Sequence, residues 1–186
     1  KGYKPTKNVE LLFFGNGPDL DILPMQDNQR MDAYFTLPEN TKLSVYEPHM
    51  HAPGVRMCLE AVWGTTVQTL NCSGYDHNWV KQYVYQDDYA PLLPRGTILH
   101  IVGFLDTTED NENIADARNW AGGGRRSVSN MFIDLGYSVT LTEEQFQAEM
   151  AARRAMMKDR NDYDVGCPLC WAPEVEAVPA ADGGGF

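Results

Sequence analysis

Short apolar runs separated by turn signals are the feature that most constrains the fold of this chain. Residues 9–14 form an apolar run, and residues 30–35 alternate between apolar and polar side chains. Residues 56–63 and 67–72 flank Gly64-Thr65-Thr66, a sequence typical of a β-hairpin turn. Further strands are predicted at 42–46, 79–85, 97–106 and 131–140. This spacing favours an antiparallel sandwich or barrel, and we predict a mainly β, jelly-roll-like antiparallel β-sandwich.

The pattern changes twice in the second half of the chain. Residues 107–126 are rich in Asp, Asn and Gly, and a loop of this length is usually functional unless it is disordered. Thr142 and Gln145 have the spacing of a capping box, and apolar residues follow at helical spacing. We therefore predict a β-sandwich domain at 1–141, one amphipathic helix at 142–160, and an extended or disordered tail at 161–186.

The charge balance excludes some classes of partner. The 186 residues carry a net charge of -11, with 26 Asp and Glu against 15 Lys and Arg. Nucleic-acid binding needs clustered cations, whereas the pairs Arg125-Arg126 and Arg153-Arg154 are expected on solvated faces. No apolar run reaches the ~20 residues that span a bilayer. The chain opens at Lys1 without a leader pattern, so we expect a trimmed chain or a piece of a longer protein.

Two histidines in the run Glu-Pro-His-Met-His are the strongest chemical signal. Residues two apart on a strand point to the same side, so His49 and His51 can reach one ion. Imidazole suits zinc, copper, iron and nickel, and the spacing alone does not select among them. Two surface histidines at a strand end are the alternative interpretation.

The surroundings of this pair match a known pattern. The matching segments are Pro48-His49-Met50-His51 with Gly54 and Met57, then Tyr75-Asp76-His77-Asn78-Trp79, Leu93-Pro94-Arg95-Gly96-Thr97, Asp106, and Ser127-Val128-Ser129-Asn130-Met131. In these segments the chain resembles the C-terminal domain of the type II, ascorbate-dependent copper monooxygenases. This family includes peptidylglycine α-hydroxylating monooxygenase, dopamine β-monooxygenase and bacterial relatives. The resemblance covers about residues 2–137.

The resemblance implies one copper ion, held by His49, His51 and Met131. A thioether is a soft ligand that favours Cu(I), and imidazole binds both oxidation states of copper. The implied reaction is hydroxylation of a C–H bond with dioxygen, with ascorbate or another one-electron donor as co-substrate. Asn130 stands where the family usually has an acidic residue, and His77 where bacterial relatives usually have an aromatic one. Both are candidates for groups that support the metal ligands. For His77, an extra metal ligand and a surface or hydrogen-bonded strand residue are the alternatives.

The second copper site of that family cannot be assembled from this chain. Three histidines of a preceding domain hold it in the family, but only His77 and His100 remain here. His100 lies in an apolar strand and is expected to be buried and hydrogen-bonded. An upstream domain or a partner chain would have to carry the second copper, so enzymatic activity stays open. The alternative is a non-catalytic extrinsic subunit of a larger membrane-associated complex, docked through the helix and the tail.

The cysteines predict two bridges. Cys58 and Cys72 lie symmetrically about Thr65, and opposed residues of a hairpin can approach disulfide geometry. Two buried free thiols are the alternative. For Cys167 and Cys170 a local disulfide is the modest interpretation, and a metal site shared with another chain stays open. Disulfides imply an extracytoplasmic location, periplasmic or secreted.

Overall fold

In its described residues the chain forms two antiparallel sheets and one α-helix. The computed structural model describes residues 9–17, 20–119, 122–127, 129–160 and 166–170. The elements are β1 (Val9–Asn16), β2 (Gln29–Thr36), β3 (Asn40–Tyr46), β4 (Pro48–His49), β5 (Gly54–Trp63), β6 (Thr66–Gly74), β7 (Tyr83–Val84), β8 (Leu92–Leu93), β9 (Ile98–Leu105), β10 (Phe132–Leu141) and α1 (Glu143–Arg160). The predicted mainly β fold is confirmed. Most of the predicted tail, residues 161–165 and 171–186, lies outside the described residues, and the domain boundaries stay a prediction.

The strands divide into two layers. One sheet has the order β1-β10-β3-β7, with β4 paired to β10 and β8 paired to β3. The other sheet has the order β2-β9-β5-β6. Alternate residues of each strand face the other sheet and form the main core; its fully buried members include Leu43, Leu59, Leu99, Ile101 and Phe132. The sandwich thus buries one face of each sheet.

The outermost strand of the first sheet carries large apolar side chains on its outer face. Val9, Leu11 and Phe13 are 59%, 56% and 58% exposed, while Leu12 and Phe14 face the core. β1 pairs with β10 along its whole length, and it forms the end of the sheet. We refer to the outer side chains of Val9, Leu11 and Phe13 as the β1 face.

The hairpin of β5 and β6 shows how the first disulfide forms. Trp63 pairs with Thr66, so the turn is centred between Gly64 and Thr65 and not on Thr65. This register alone would not place Cys58 opposite Cys72. A bulge in the ladder between Leu59 and Glu60 shifts the strand register by one residue. Cys58 therefore pairs directly with Cys72. These two cysteines are bridged, and so are Cys167 and Cys170, as predicted. Two disulfides indicate an oxidising environment.

The predicted strand at 79–85 is mostly wrong. The structure has only the two-residue strand β7 there. The cause is a turn, in which the backbone N–H of Trp79 donates to the carbonyl of Asp76 at 2.9 Å and that of Asn78 donates to the Asp76 carboxylate at 2.8 Å. These bonds replace the ladder bonds that a strand would have made.

The helix begins at the predicted capping box and packs on the first sheet. The Thr142 N–H donates to the Gln145 side chain at 3.0 Å, and the Gln145 N–H donates to the Thr142 hydroxyl at 3.2 Å. Phe146 and Met150 pack against Val139 of β10 and against the Cys167–Cys170 bridge in a second apolar cluster. The apolar side of α1 is therefore covered by its own chain.

The prediction that Arg153 and Arg154 lie on a solvated face is wrong. Arg153 is buried, and its guanidinium donates to the carbonyl of Ala90 at 2.9 Å. Arg154 donates to the carbonyl of Cys170 at 2.8 Å. Both side chains tie the helix to the chain segments beside it. Across the described ranges, no helix is both long and apolar enough to span a membrane.

Candidate metal centre

His49 and His51 lie together, but not because of strand alternation. His49 is the last residue of β4, where it pairs with Ile133 of β10. His51 lies beyond the strand with a backbone φ of 65°, a left-handed conformation that few non-glycine residues adopt. The two ring centroids are 4.9 Å apart, at an interplanar angle of 75°. A bend after the strand therefore brings the two imidazoles together.

The imidazole of His51 is oriented by a hydrogen bond. Its Nδ1 lies 3.1 Å from the carbonyl oxygen of Ser129, in the segment that precedes Met131. A carbonyl oxygen only accepts, so Nδ1 carries the proton and Nε2 keeps its lone pair. The backbone N–H of His51 donates to the hydroxyl of Tyr75 at 3.2 Å. Metal-binding histidines commonly have this arrangement, with one nitrogen held by a carbonyl and the other available.

The imidazole of His49 has a buried nitrogen without a partner. Its Nδ1 makes no hydrogen bond although it is shielded from solvent. Burial, and then the neighbouring His51, lowers the pKa of His49 below its ordinary value. The neutral form is thus favoured, and a neutral imidazole is the form that binds a metal. Buried polar atoms without partners are rare, and an ion is one of their explanations.

His77 lies next to this pair. Its ring centroid is 6.3 Å from that of His51, and its Nδ1 is also buried without a hydrogen bond. In the described parts of the chain, however, no group of three or more His, Cys, Asp or Glu side chains is arranged to hold a metal ion. The pair of His49 and His51 therefore needs a donor of another type, and His77 stays a prediction as a supporting group.

Met131 lies beside the two histidines through the backbone. Its N–H donates to the carbonyl of Met50, the residue between His49 and His51, at 3.3 Å. The next residue, Phe132, is fully buried against Gly103, where an added Cβ would lie 2.4 Å from the Phe132 ring and 3.4 Å from the sulfur of Met50. A residue larger than glycine would not fit there. This packing positions both chain segments that carry the predicted ligands.

Asn130 and the long loop close the centre on one side. Asn130 is buried, and its N–H donates to the carbonyl of Gly122 at 2.9 Å. Asn111, in the predicted loop, donates through its side chain to the carbonyl of Ala52 at 3.3 Å. A cavity of about 180 Å³ lies between the loop and this segment, and Ala52, Ala117 and Asn130 are among its lining residues. The described part of the loop thus packs beside the segment that follows His51.

His100 lies outside the candidate metal centre, and both of its ring nitrogens contact carboxylates. Its Nε2 is 2.7 Å from the carboxylate of Asp32, and its Nδ1 is 2.9 Å from that of Glu60. The Tyr34 ring stacks on the imidazole at a centroid distance of 4.3 Å. His100 is buried and hydrogen-bonded as predicted. The two carboxylates were not predicted, because three strands must be in register to bring them together.

Comparison with known proteins does not identify a family. No protein-family model matches the chain, and no curated protein matches it with significant similarity.

Proposed function

We propose that this chain is a copper-binding domain that acts as the oxygen-activating half of a copper-dependent monooxygenase. One observation carries the proposal. The ring centroids of His49 and His51 lie 4.9 Å apart, and the Ser129 carbonyl orients the His51 ring while a buried nitrogen of His49 has no hydrogen bond. The backbone N–H of Met131 is hydrogen-bonded to the residue between the two histidines. The resemblance of the sequence around these residues to the copper monooxygenases supports the choice of metal.

The proposed ligands are His49, His51 and Met131. Two imidazoles and a thioether suit copper better than zinc, because the thioether is a soft donor that favours Cu(I). Copper bound there would supply the one-electron chemistry by which dioxygen hydroxylates a C–H bond, with ascorbate or a similar donor as reductant. Three protein ligands leave a coordination position open.

The surrounding residues have positioning roles in this proposal. Ser129 holds the His51 ring in one tautomer through its carbonyl, and Tyr75 fixes the His51 backbone through its hydroxyl. The lowered pKa of His49 keeps its nitrogens available at neutral pH. Asn111 ties the described part of the long loop to Ala52, the residue that follows His51.

A full monooxygenase of this type needs a second electron source. Both ring nitrogens of His100 contact carboxylates, so it does not contribute to a second copper site. We propose that an upstream domain or a partner chain carries that site. The two disulfides support an extracytoplasmic location, periplasmic or secreted.

Copper analysis of the purified protein tests the proposal. The wild type is expected to bind one Cu(I), with a sulfur scatterer in its X-ray absorption spectrum. His49→Ala and His51→Ala should lose stoichiometric copper, because each removes a ligand. Met131→Leu, of similar volume, should keep the fold but lose the sulfur scatterer and bind copper at least about tenfold more weakly.

His77→Gln is the comparison variant, since it changes a neighbouring histidine that is a proposed supporting group and not a proposed ligand. It should keep both the copper and the sulfur signal. Stoichiometric copper in His51→Ala, or a sulfur signal that survives Met131→Leu, would show that the ligand set is wrong. Oxygen uptake with ascorbate then tests turnover separately from binding.

A non-catalytic subunit is the second candidate function, and the β1 face favours it. Three large apolar side chains at alternate positions are unusual on a solvent-exposed strand. The apolar side of α1 does not favour it, because the sheet already covers that side. If the protein lacks copper and co-purifies in fixed stoichiometry with a membrane complex, this second function replaces the first.

A further inference from the structure

A second pocket lies beside the candidate metal centre, on the other side of β4. It has a volume of about 330 Å³ and is lined by Pro48, Gly74, Tyr75, Asp76, Trp79, Lys81 and Tyr83. We call it the Trp79 pocket. Pro48 lines it and His49 does not, as expected for successive residues of a strand, whose side chains point to opposite sides. The pocket therefore contains none of the proposed copper ligands, although Tyr75, whose hydroxyl accepts from the His51 backbone N–H, is one of its lining residues.

An exposed aromatic side chain dominates this pocket. Trp79 is 69% exposed, although a tryptophan normally buries most of its surface. A turn hydrogen bond from the Trp79 N–H to the carbonyl of Asp76 holds the backbone of Trp79 in place. Lys81 lies over the ring at 5.0 Å from the centroid, and the high exposure shows that much of the ring surface stays open. Trp79 thus forms an exposed apolar platform at the pocket.

The polar groups of the pocket are balanced in charge. Asp76 provides acceptor oxygens, of which Oδ1 accepts from the Asn78 N–H. Lys81 provides donors, and its ammonium pairs with no carboxylate in the described part of the chain. One negative and one positive group do not select a net charge. A protein of net charge -11 also repels anions, so the favoured ligand is neutral, with both donors and acceptors.

The volume and the lining side chains of the Trp79 pocket narrow the class of ligand further. The volume lies at the low end of the ~300–1,000 Å³ range of small-molecule pockets, so one ring-sized unit fits. Tyr75 and Tyr83 line the pocket beside Trp79, and aromatic side chains favour a flat apolar ligand surface. A sugar ring combines an apolar C–H face with a rim of hydroxyl groups.

We propose that the Trp79 pocket binds one ring of a neutral saccharide. The C–H face of the sugar lies on Trp79, and its hydroxyl groups bond to Asp76 and Lys81. Such a site anchors the domain on a glycan independently of copper.

Calorimetric titration of the copper-free protein with cellohexaose, hexa-N-acetylchitohexaose and mannohexaose tests this proposal. At least one is expected to bind with a Kd on the order of 1 mM or tighter. Trp79→Ala removes the platform and should weaken binding by about tenfold or more. Gly74→Leu should do the same by filling the pocket, because Gly74 lines the pocket and an added Cβ there meets no atom within 4 Å.

Tyr34→Ala is the matched control, since it removes an aromatic side chain of similar exposure, 63%, outside the pocket. It should leave saccharide binding unchanged. The proposal is overturned if no hexasaccharide binds the wild type, or if binding survives both pocket variants. Binding of tetramethylammonium without any saccharide would also overturn it, by identifying a cation site. Circular dichroism of each variant checks the fold, and Gly74→Leu keeps the test valid if Trp79→Ala does not fold.

Discussion

At the residue scale, the sequence pattern predicted which histidines matter but not how they are held. The His49-x-His51 spacing was visible, whereas the left-handed backbone of His51 and the Ser129 carbonyl contact were not. The contact joins residues 78 positions apart, and such pairing depends on which strands lie side by side in a sheet. The carboxylates of Asp32 and Glu60 around His100 were not predicted, for the same reason.

Asp134 should make the stability of the fold depend on pH. Burial raises its pKa from 3.8 to about 7, although the N–H groups of Glu47 and Gly136 donate to its Oδ1. The folded protein thus keeps a proton that the unfolded chain loses. The free energy of unfolding is therefore expected to fall as pH rises from about 4 to about 7, by on the order of 4 kcal/mol.

Asp134→Asn keeps the Oδ1 acceptor and removes the ionisable group. Urea unfolding of metal-free protein across this pH window should show a flatter dependence in the variant than in the wild type. Asp110→Asn, at an exposed position, is the control and should retain the wild-type slope. Equal slopes in Asp134→Asn and the wild type would contradict the assignment.

At the element scale, long patterns were predicted well and short ones were not. Seven of the eight predicted strands and the helix were found, because apolar periodicity over many residues has one main interpretation. The two-residue strands β4 and β8 have no period to detect. The segment 79–85 has strand-forming residues, but the Asp76 turn overrides them. Tertiary contacts decide such short elements.

The helix offers a test of an element held by a charged residue. Arg153→Ala should lower the free energy of unfolding by about 3 kcal/mol, because the buried carbonyl oxygen of Ala90 loses a charged donor. Chemical denaturation measures this loss. Arg125→Ala, at an exposed position, should change stability by no more than about 0.5 kcal/mol. Similar effects of the two substitutions would show that Arg153 does not hold the helix.

At the scale of the whole molecule, the fold class followed from the sequence and the layer arrangement did not. Alternation predicts that strands bury one face, but it does not tell which strands share a sheet. The copper interpretation has the same limit, since the order of the motifs suggests the ligands while only the pairing of β4 with β10 brings His51 and Ser129 together. Function therefore depends on pairings between strands distant in sequence.

The β1 face has a colloidal consequence. Unpaired edge strands with apolar side chains tend to join other chains, and mutual repulsion from the net charge of -11 opposes this at neutral pH. Acidification towards zero net charge removes the repulsion, so light scattering of the wild type should rise steeply there.

Leu11→Lys places a charge on the edge and should delay the rise, whereas Leu23→Lys adds the same charge outside any strand and should not. Identical scattering curves for the two variants would mean that precipitation does not begin at this edge. If the edge does start it, the shelf life of the protein in solution depends on one strand and on the acidity of the buffer.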